Sequence, residues 1–139
     1  MCPVRGDSST TPWRVESNMQ TRQLVPMVFV AEVERSIAFY KHLGFEVGNT
    51  FTQEGATKTT WAWLACGNAQ LMLAVADEEI VPKQQRVLFY LYTDDVAAAQ
   101  ASLAEAGLNP GAISTPFYAP RGEFELKDPD GYTLMITHT

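Results

Sequence analysis

The apolar pattern in the first half of the chain predicts a strand, a helix and three further strands. Residues 24–30, LVPMVFV, are almost all apolar, which is typical of a strand buried on both faces. Pro26 has no backbone N–H, so one edge of this strand is expected to be open. Apolar residues then recur at helical spacing over residues 33–43, and Gly44 ends the predicted helix. The next strands are expected to begin at Phe45 and to cover residues 59–65 and 69–75, with a short turn at 66–68.

The second half of the chain shows the same order of elements. Residues 86–93 are predicted to form a strand, and Asp94 or Asp95 is predicted to cap a helix over residues 96–106. Gly107 ends this helix. A strand is then expected from residue 108 to about 111, followed by a final hairpin over 123–127 and 132–137 across the turn at 128–131.

The two halves align at one constant offset of 63 residues. The helix-ending glycines are Gly44 and Gly107, and the last strand of each half carries a similar triplet, Leu71-Met72-Leu73 and Leu134-Met135-Ile136. One βαβββ module is therefore expected to occur twice. Because the helix of each module covers only one sheet face, the other face is expected to curve toward the second module.

The opening segment, VAEVERSIAFY over residues 30–40 followed by Leu-Gly-Phe, resembles the start of vicinal oxygen chelate proteins. The segment GEFELKDPDGY over residues 122–132 resembles the closing hairpin of the same superfamily, which includes glyoxalase I, ring-cleaving dioxygenases, fosfomycin-modifying enzymes and bleomycin-resistance proteins. The resemblance covers about residues 22–139. It implies an α+β fold in which two tandem βαβββ modules, about 22–80 and 85–139, form a curved mixed sheet around a central cavity.

Composition narrows the classes of partner. The chain has 139 residues, which predicts one domain over 21–139 after a flexible extension of residues 1–20 rich in Ser, Thr, Pro and Arg. The longest apolar run is too short for a membrane span, and the N-terminus lacks the apolar stretch of a secretory signal, so a cytoplasmic protein is expected. The net charge of −6 disfavours nucleic acid and suits neutral or cationic small molecules, or serves solubility alone.

The superfamily enzymes hold one divalent metal with His, Glu or Gln on the first and last strands of each module. The resemblance and the repeat place these four positions at Val25, Met72, Leu88 and Met135. Thioethers are soft ligands that do not suit the hard divalent metals of this chemistry. The sequence therefore predicts no metal site and no cofactor.

Strand alternation predicts which other side chains share the cavity face. Met27 and Phe29 are expected there from the first strand, and Tyr90 and Tyr92 from the first strand of the second module. These residues with Met72, Leu88 and Met135 would form an apolar and aromatic ligand pocket, or would simply fill the space between the modules.

The turn of the final hairpin decides which side its residues face. Asp-Pro-Asp-Gly fits a type I turn with a left-handed glycine, which places Glu125 opposite Met135 and turns Glu125 and Glu123 toward the cavity. Among apolar side chains Glu125 needs a cationic ligand or a neighbour such as Arg121 or Lys127. By the repeat, Trp61 and Trp63 would lie on the helix side, whereas a two-residue turn would place them in the cavity.

Phe117 and Tyr118 lie in a long connection between residues 112 and 122. They either stack on a planar ligand or pack the loop against the domain. The sequence thus favours a metal-free, homodimeric binding protein of the bleomycin-resistance type, which sequesters a planar or cationic ligand. The alternative is a glyoxalase- or dioxygenase-family enzyme that lacks the usual metal set, with Glu125 as base and Tyr90 or Tyr92 as acid, or one with displaced metal ligands.

Overall fold

The computed structural model describes residues 12–13 and 19–138. Most of the predicted flexible extension over residues 1–20 lies outside the described residues. In chain order the elements are β1 (Met27–Val30), α1 (Val33–Lys41), β2 (Glu46–Phe51), β3 (Trp61–Cys66), β4 (Ala69–Val75), a 3₁₀ turn (Pro82–Gln84), β5 (Leu88–Thr93), α2 (Val96–Glu105), β6 (Glu123–Lys127) and β7 (Thr133–His138). Neither helix of this described part is long and apolar enough to cross a bilayer.

The strands form two mixed sheets, in the orders β1-β4-β3-β2 and β5-β7-β6. In each sheet the first strand runs parallel to the last strand, which also closes an antiparallel hairpin. Met27 lies opposite Met72 in the first sheet, and Tyr90 lies opposite Met135 in the second. Both residues of the second pair follow those of the first by 63 positions, so the two parallel ladders have the same register. The predicted α+β architecture is confirmed.

The first strand is buried on one face only. Val28 and Val30 are buried, whereas Met27 is 44% exposed and Phe29 is 49% exposed. The prediction of a strand buried on both faces is therefore wrong for this chain. Strand β1 is also the edge of its sheet, in agreement with the open edge expected from Pro26.

The second module lacks a counterpart to β2. The strand predicted from residue 108 to about 111 does not form, because Asn109 adopts a positive φ of 55° and Pro110 has no N–H for a ladder. Residues 111–114 make two contacts with β6 instead. The Gly111 N–H donates to the Glu125 carbonyl at 2.8 Å, and Ser114 forms an isolated bridge with Glu123. The second sheet therefore has three strands where the first has four.

The helix sides of both sheets share one hydrophobic core. Val30, Leu64, Leu73 and Leu134 are almost completely buried in it. At the start of α2 the Asp95 side chain accepts a 2.9 Å hydrogen bond from the Ala98 N–H, so Asp95 rather than Asp94 is the cap. The core covers one face of each sheet and leaves the opposite faces for other contacts.

The turn at 128–131 joins the last hairpin to the first module. Asp130 is buried and accepts hydrogen bonds from the Ala31 N–H at 3.0 Å and from Arg35 Nη2 at 3.1 Å. The Gly131 N–H donates to the Asp128 carbonyl at 3.0 Å, and Gly131 has a φ of 90°, which confirms the predicted turn geometry. A Cβ on Gly131 would lie 2.5 Å from Pro82 Cβ, so both conformation and space require glycine there.

Candidate functional site

One face of the first sheet, which we call face A, carries aromatic and methionine side chains. Residues that lie opposite each other on neighbouring strands point to the same side of a sheet. The register therefore puts Trp63, Met72 and Met27 in one row across β3, β4 and β1, on the side away from the buried Leu64 and Leu73. The next row carries Phe51, Trp61, Ala74 and Phe29.

The two tryptophans lie on face A and not on the helix side. Their rings meet edge to face with centroids 6.4 Å apart, and Trp63 Nε1 donates to Gln70 Oε1 at 3.1 Å. The expectation from the repeat and the final hairpin, that Trp61 and Trp63 lie on the helix side of the sheet, is therefore wrong. Residues Ala62 and Leu64, which are almost fully buried, fill the helix side instead.

The corresponding face of the second sheet, face B, combines tyrosines with two carboxylates. One row across β5, β7 and β6 consists of Tyr90, Met135 and Glu125, which confirms the predicted pairing of Glu125 with Met135. The next row consists of Tyr92, Thr137 and Glu123, and Leu88 lies at the other end of β5. The Tyr90 and Tyr92 rings are stacked with centroids 6.5 Å apart, and Tyr92 is 63% exposed.

The two carboxylates of face B differ in environment. Glu125 is 51% exposed and lies 3.5 Å from Lys127 Nζ, so it forms the ordinary ion pair that the sequence left open as an alternative to a cationic ligand. Glu123 is only 4% exposed. Its Oε2 accepts a 3.1 Å hydrogen bond from the Tyr118 hydroxyl, and its buried Oε1 has no hydrogen-bond partner among the described residues.

The connection before β6 brings two aromatic side chains toward this end of face B. Phe117 is 95% exposed and meets Tyr118 edge to face with centroids 5.4 Å apart. The hydrogen bond to Glu123 raises the pKa of Tyr118, so its hydroxyl remains a donor at neutral pH. Tyr118 thus lies beside the carboxylate, while Phe117 is free to contact a bound molecule.

The predicted site residues are distributed over the two faces and the connection. Met27, Phe29 and Met72 belong to face A, while Leu88, Tyr90, Tyr92, Glu125 and Met135 belong to face B. Pockets lined by the described residues include side chains of face B. One of about 650 Å³ includes Glu125 and Met135, one of about 300 Å³ includes Tyr90, Tyr92 and Tyr118, and one of about 320 Å³ includes Leu88 and Tyr90. Sequence reasoning placed Glu123 on this side but did not identify its burial.

The residues at the expected metal positions do not fit a hard divalent ion. Met72 and Met135 offer thioethers, and Val25 and Leu88 offer no donor atom at all. Within residues 19–138 no three His, Cys, Asp or Glu side chains lie close enough together to hold a metal. No chemical step is therefore derived through a metal for this chain.

Comparison with known families gives one match. Residues 22–136 match the model of the Glyoxalase/Bleomycin resistance protein/Dioxygenase superfamily. A search of the curated proteins finds no match to the chain.

Solved structures share the fold at low sequence identity. A bleomycin-binding protein in complex with bleomycin superposes with a TM-score of 0.67 and 21% identity, covering 86% of this chain and 99% of that one. The bleomycin-binding protein of Streptomyces verticillus in complex with copper(II)-bleomycin gives 0.63 and 18%, covering 87% and 98%. The antibiotic-binding protein TnmS3 of Streptomyces sp. CB03234 gives 0.66 and 22%, covering 88% and 98%.

Proposed function

The chain belongs to the glyoxalase/bleomycin resistance protein/dioxygenase superfamily, and we propose that it sequesters a planar or cationic small molecule without transforming it. The observation that carries this proposal is the composition of faces A and B. Each is the sheet face opposite the hydrophobic core, aromatic and methionine side chains lie on it in rows, and face B adds carboxylates. Aromatic rings suit planar molecules, and carboxylates suit cations.

The similar structures support a binding role. Three of them are described as binding bleomycin or an antibiotic, and each is covered almost completely by this chain. Identities near 20% transfer the fold and not the ligand. We therefore take from them the class of activity, binding of a small molecule, and take the ligand's chemistry from faces A and B.

We infer a homodimer from exposure and from the sheet edges. Met27, Phe29 and Tyr92 are large apolar or aromatic residues that a single chain leaves between 44% and 63% exposed. Contiguous exposed apolar surface of this kind marks an interaction site. Strands β1 and β5 are also both edge strands of their sheets. A second chain that placed its face B over face A would cover both faces and enclose ligand clefts between the subunits.

The ten ligand-binding residues proposed are those that the sequence pointed to: Met27, Phe29, Met72, Leu88, Tyr90, Tyr92, Phe117, Tyr118, Glu125 and Met135. We add Trp61 and Trp63 to the proposal because they lie on face A, and Glu123 because it lies on face B. We propose that none of them works through a metal, because the positions of the superfamily's metal ligands hold thioethers and aliphatic groups.

Binding is favoured over the alternative of catalysis by the state of Glu125. If Glu125 were a general base, it would lie among apolar groups, within reach of the proposed acid, Tyr90 or Tyr92. No cation would compete for its charge. Glu125 is half-exposed and its charge is matched by Lys127 at 3.5 Å. The carboxylate is therefore arranged as a solvated ion pair rather than as a base.

Thermal unfolding in the presence of candidate ligands tests the proposal. Bleomycin and ethidium, which each carry a planar aromatic group and a positive charge, serve as the planar cations, and a neutral planar aromatic of ethidium's size serves as the control. A ligand at about 100 times its Kd stabilises the folded state by about 2.7 kcal/mol, which raises the melting temperature by several degrees. The proposal predicts such a rise with at least one of the planar cations. Unchanged melting with both would contradict it.

A further inference from the structure

Glu123 has a free hydrogen-bond acceptor in a buried position. The side chain is 4% exposed, its Oε2 is engaged by Tyr118 at 3.1 Å, and its Oε1 has no partner within the described part of the chain. Ion pairs within the described residues involve Asp130, Glu32 and Glu125, and none reaches Glu123. Buried polar atoms are nearly always hydrogen-bonded, so an orphaned carboxylate oxygen indicates a missing donor.

The pocket beside Glu123 is lined with aromatic rings. It measures about 300 Å³ and is bordered by Tyr90, Tyr92 and Tyr118. Tyr92 lies in the same cross-strand row as Glu123, with only Thr137 between them. A volume near 300 Å³ lies at the lower end for ligand pockets and accommodates one functional group of a larger molecule.

The cation nearest in sequence, Arg121, forms no hydrogen bond to Glu123 within the described residues. Arg121 lies at the rim of the same pocket, but its Nη1 is 3.2 Å from Nδ1 and 3.3 Å from Nε2 of His138. Among the described residues no hydrogen bond reaches Oε1 of Glu123, so this oxygen is available as an acceptor for a bound molecule.

We propose that Glu123 anchors a protonated primary or secondary amine of the ligand beside the rings of Tyr90, Tyr92 and Tyr118, held by a hydrogen bond from the amine N–H to Oε1 once the carboxylate turns toward the pocket. The carboxylate oxygen and the tyrosine rings recognise different properties of the same ammonium group. The carboxylate oxygen needs an N–H donor, and the electron-rich ring faces attract a positive charge. A quaternary ammonium would satisfy the rings but not the oxygen, so the pocket is expected to discriminate between the two kinds of cation.

This inference rests on the proposed function, since it names the group by which a sequestered ligand is recognised. Three probes of similar size separate its parts: 2-phenylethylammonium, phenylethyltrimethylammonium and neutral 2-phenylethanol. Titrations followed by NMR of the tyrosine rings report on the pocket directly. The chain has five tyrosines, three of which line this pocket.

In the native chain 2-phenylethylammonium should bind about tenfold more tightly than its trimethylated analogue, because only the former donates a charge-assisted hydrogen bond. Glu123→Gln should abolish this preference. Glu105→Gln removes the same charge from the exposed end of α2 and should leave the preference intact. Equal affinity for both cations in the native chain, no saturable shift of the tyrosine rings, or a preference that survives Glu123→Gln would overturn the inference.

The thermal unfolding measurements with bleomycin and ethidium distinguish a failure of this inference from a failure of the proposed function. If a planar cation stabilises the chain while the amine preference is absent, the inference about Glu123 fails and the proposed function stands. If the amine preference is present while both planar cations leave the melting temperature unchanged, Glu123 is an amine site and the proposed sequestering of planar cations fails.

Discussion

The Tyr40 hydroxyl donates a 2.8 Å hydrogen bond to Oδ2 of Asp128, and both groups are buried. The bond joins α1 of the first module to the turn of the last hairpin, 88 residues later. Asp128 Oδ1 in turn accepts 2.9 Å hydrogen bonds from the N–H groups of Asp130 and Tyr132, so the same carboxylate fixes its own turn. The contact between the modules therefore depends on a buried polar network as well as on apolar packing.

Tyr40→Phe should lower the free energy of unfolding by about 1–3 kcal/mol, because it leaves Asp128 Oδ2 buried without its donor. Urea denaturation followed by circular dichroism measures the change. Tyr92→Phe removes a hydroxyl from a 63% exposed ring and is the matched control, with unfolding free energy expected to stay near that of the native chain. Equal stability of Tyr40→Phe and Tyr92→Phe would show that the Tyr40–Asp128 bond contributes nothing.

Asp128 should make the stability of the chain fall as pH rises above about 4. Burial raises the pKa of Asp128, and the hydrogen bonds from Tyr40 and from two backbone N–H groups oppose this only in part. Between the ordinary aspartate pKa near ~3.9 and the raised folded-state pKa, the unfolded chain loses the proton first, so rising pH favours unfolding.

The variant Asp128→Asn isolates this effect. Asparagine keeps an oxygen for the turn N–H groups and offers an amide to Tyr40, but it does not titrate. Urea denaturation of both proteins from pH 3.5 to 7 should show the native chain losing stability relative to the variant as pH rises. A difference that stays flat or changes in favour of the native chain would contradict the raised pKa.

Binding of a planar ligand to face A should quench tryptophan fluorescence. Trp61 and Trp63 lie on this face, while Trp13 is 81% exposed and lies outside the strands. Ethidium titrated into the native chain and into Trp13→Phe should give the same quenching curve. The double variant Trp61→Phe/Trp63→Phe should lose most of the saturable signal, and quenching retained there would place the ligand elsewhere.

The proposed dimer gives a mass prediction. Light scattering should find twice the chain mass of 15.4 kDa. Phe29→Glu puts a charge on the edge strand β1 of face A and should produce monomers, because a buried unpaired carboxylate opposes association. Ala104→Glu adds the same charge on the exposed side of α2 and should remain dimeric. A native chain that scatters as a monomer would contradict the dimer.

The sequence predicted the 63-residue offset between the halves and the order of the helices and strands, apart from the strand expected from residue 108 to about 111. Met72 and Met135 are 63 positions apart and occupy the same place in their ladders, opposite Met27 and Tyr90. Apolar periodicity and glycine positions are local signals that survive in the fold, which is why these predictions hold.

The second module could not be used to predict which side chains of β3 face the helix side of the sheet. Cys66 lies opposite Ala69 across a two-residue loop, whereas five residues separate Lys127 from Thr133 in the last hairpin. This difference slips one hairpin by a residue relative to the other, and a one-residue slip turns every side chain to the opposite face. Trp61 and Trp63 therefore lie on face A.

The importance of Glu123 over Glu125 was also beyond the sequence. The two residues alternate on one strand and look equivalent in a pattern of apolar and polar positions. Their difference arises from long side chains and a loop: Lys127 pairs with Glu125, and Tyr118 folds back onto Glu123. Contacts of this kind depend on tertiary structure rather than on periodicity.

Calorimetric titration of metal-depleted protein in EDTA, with bleomycin and with ethidium, tests most directly whether the chain holds molecules without transforming them. The prediction is saturable binding of at least one of the two, with the ligand recovered at unchanged mass. No heat of binding with either ligand, ethidium binding that appears only after a divalent metal is restored, or recovery of a chemically altered ligand would contradict it.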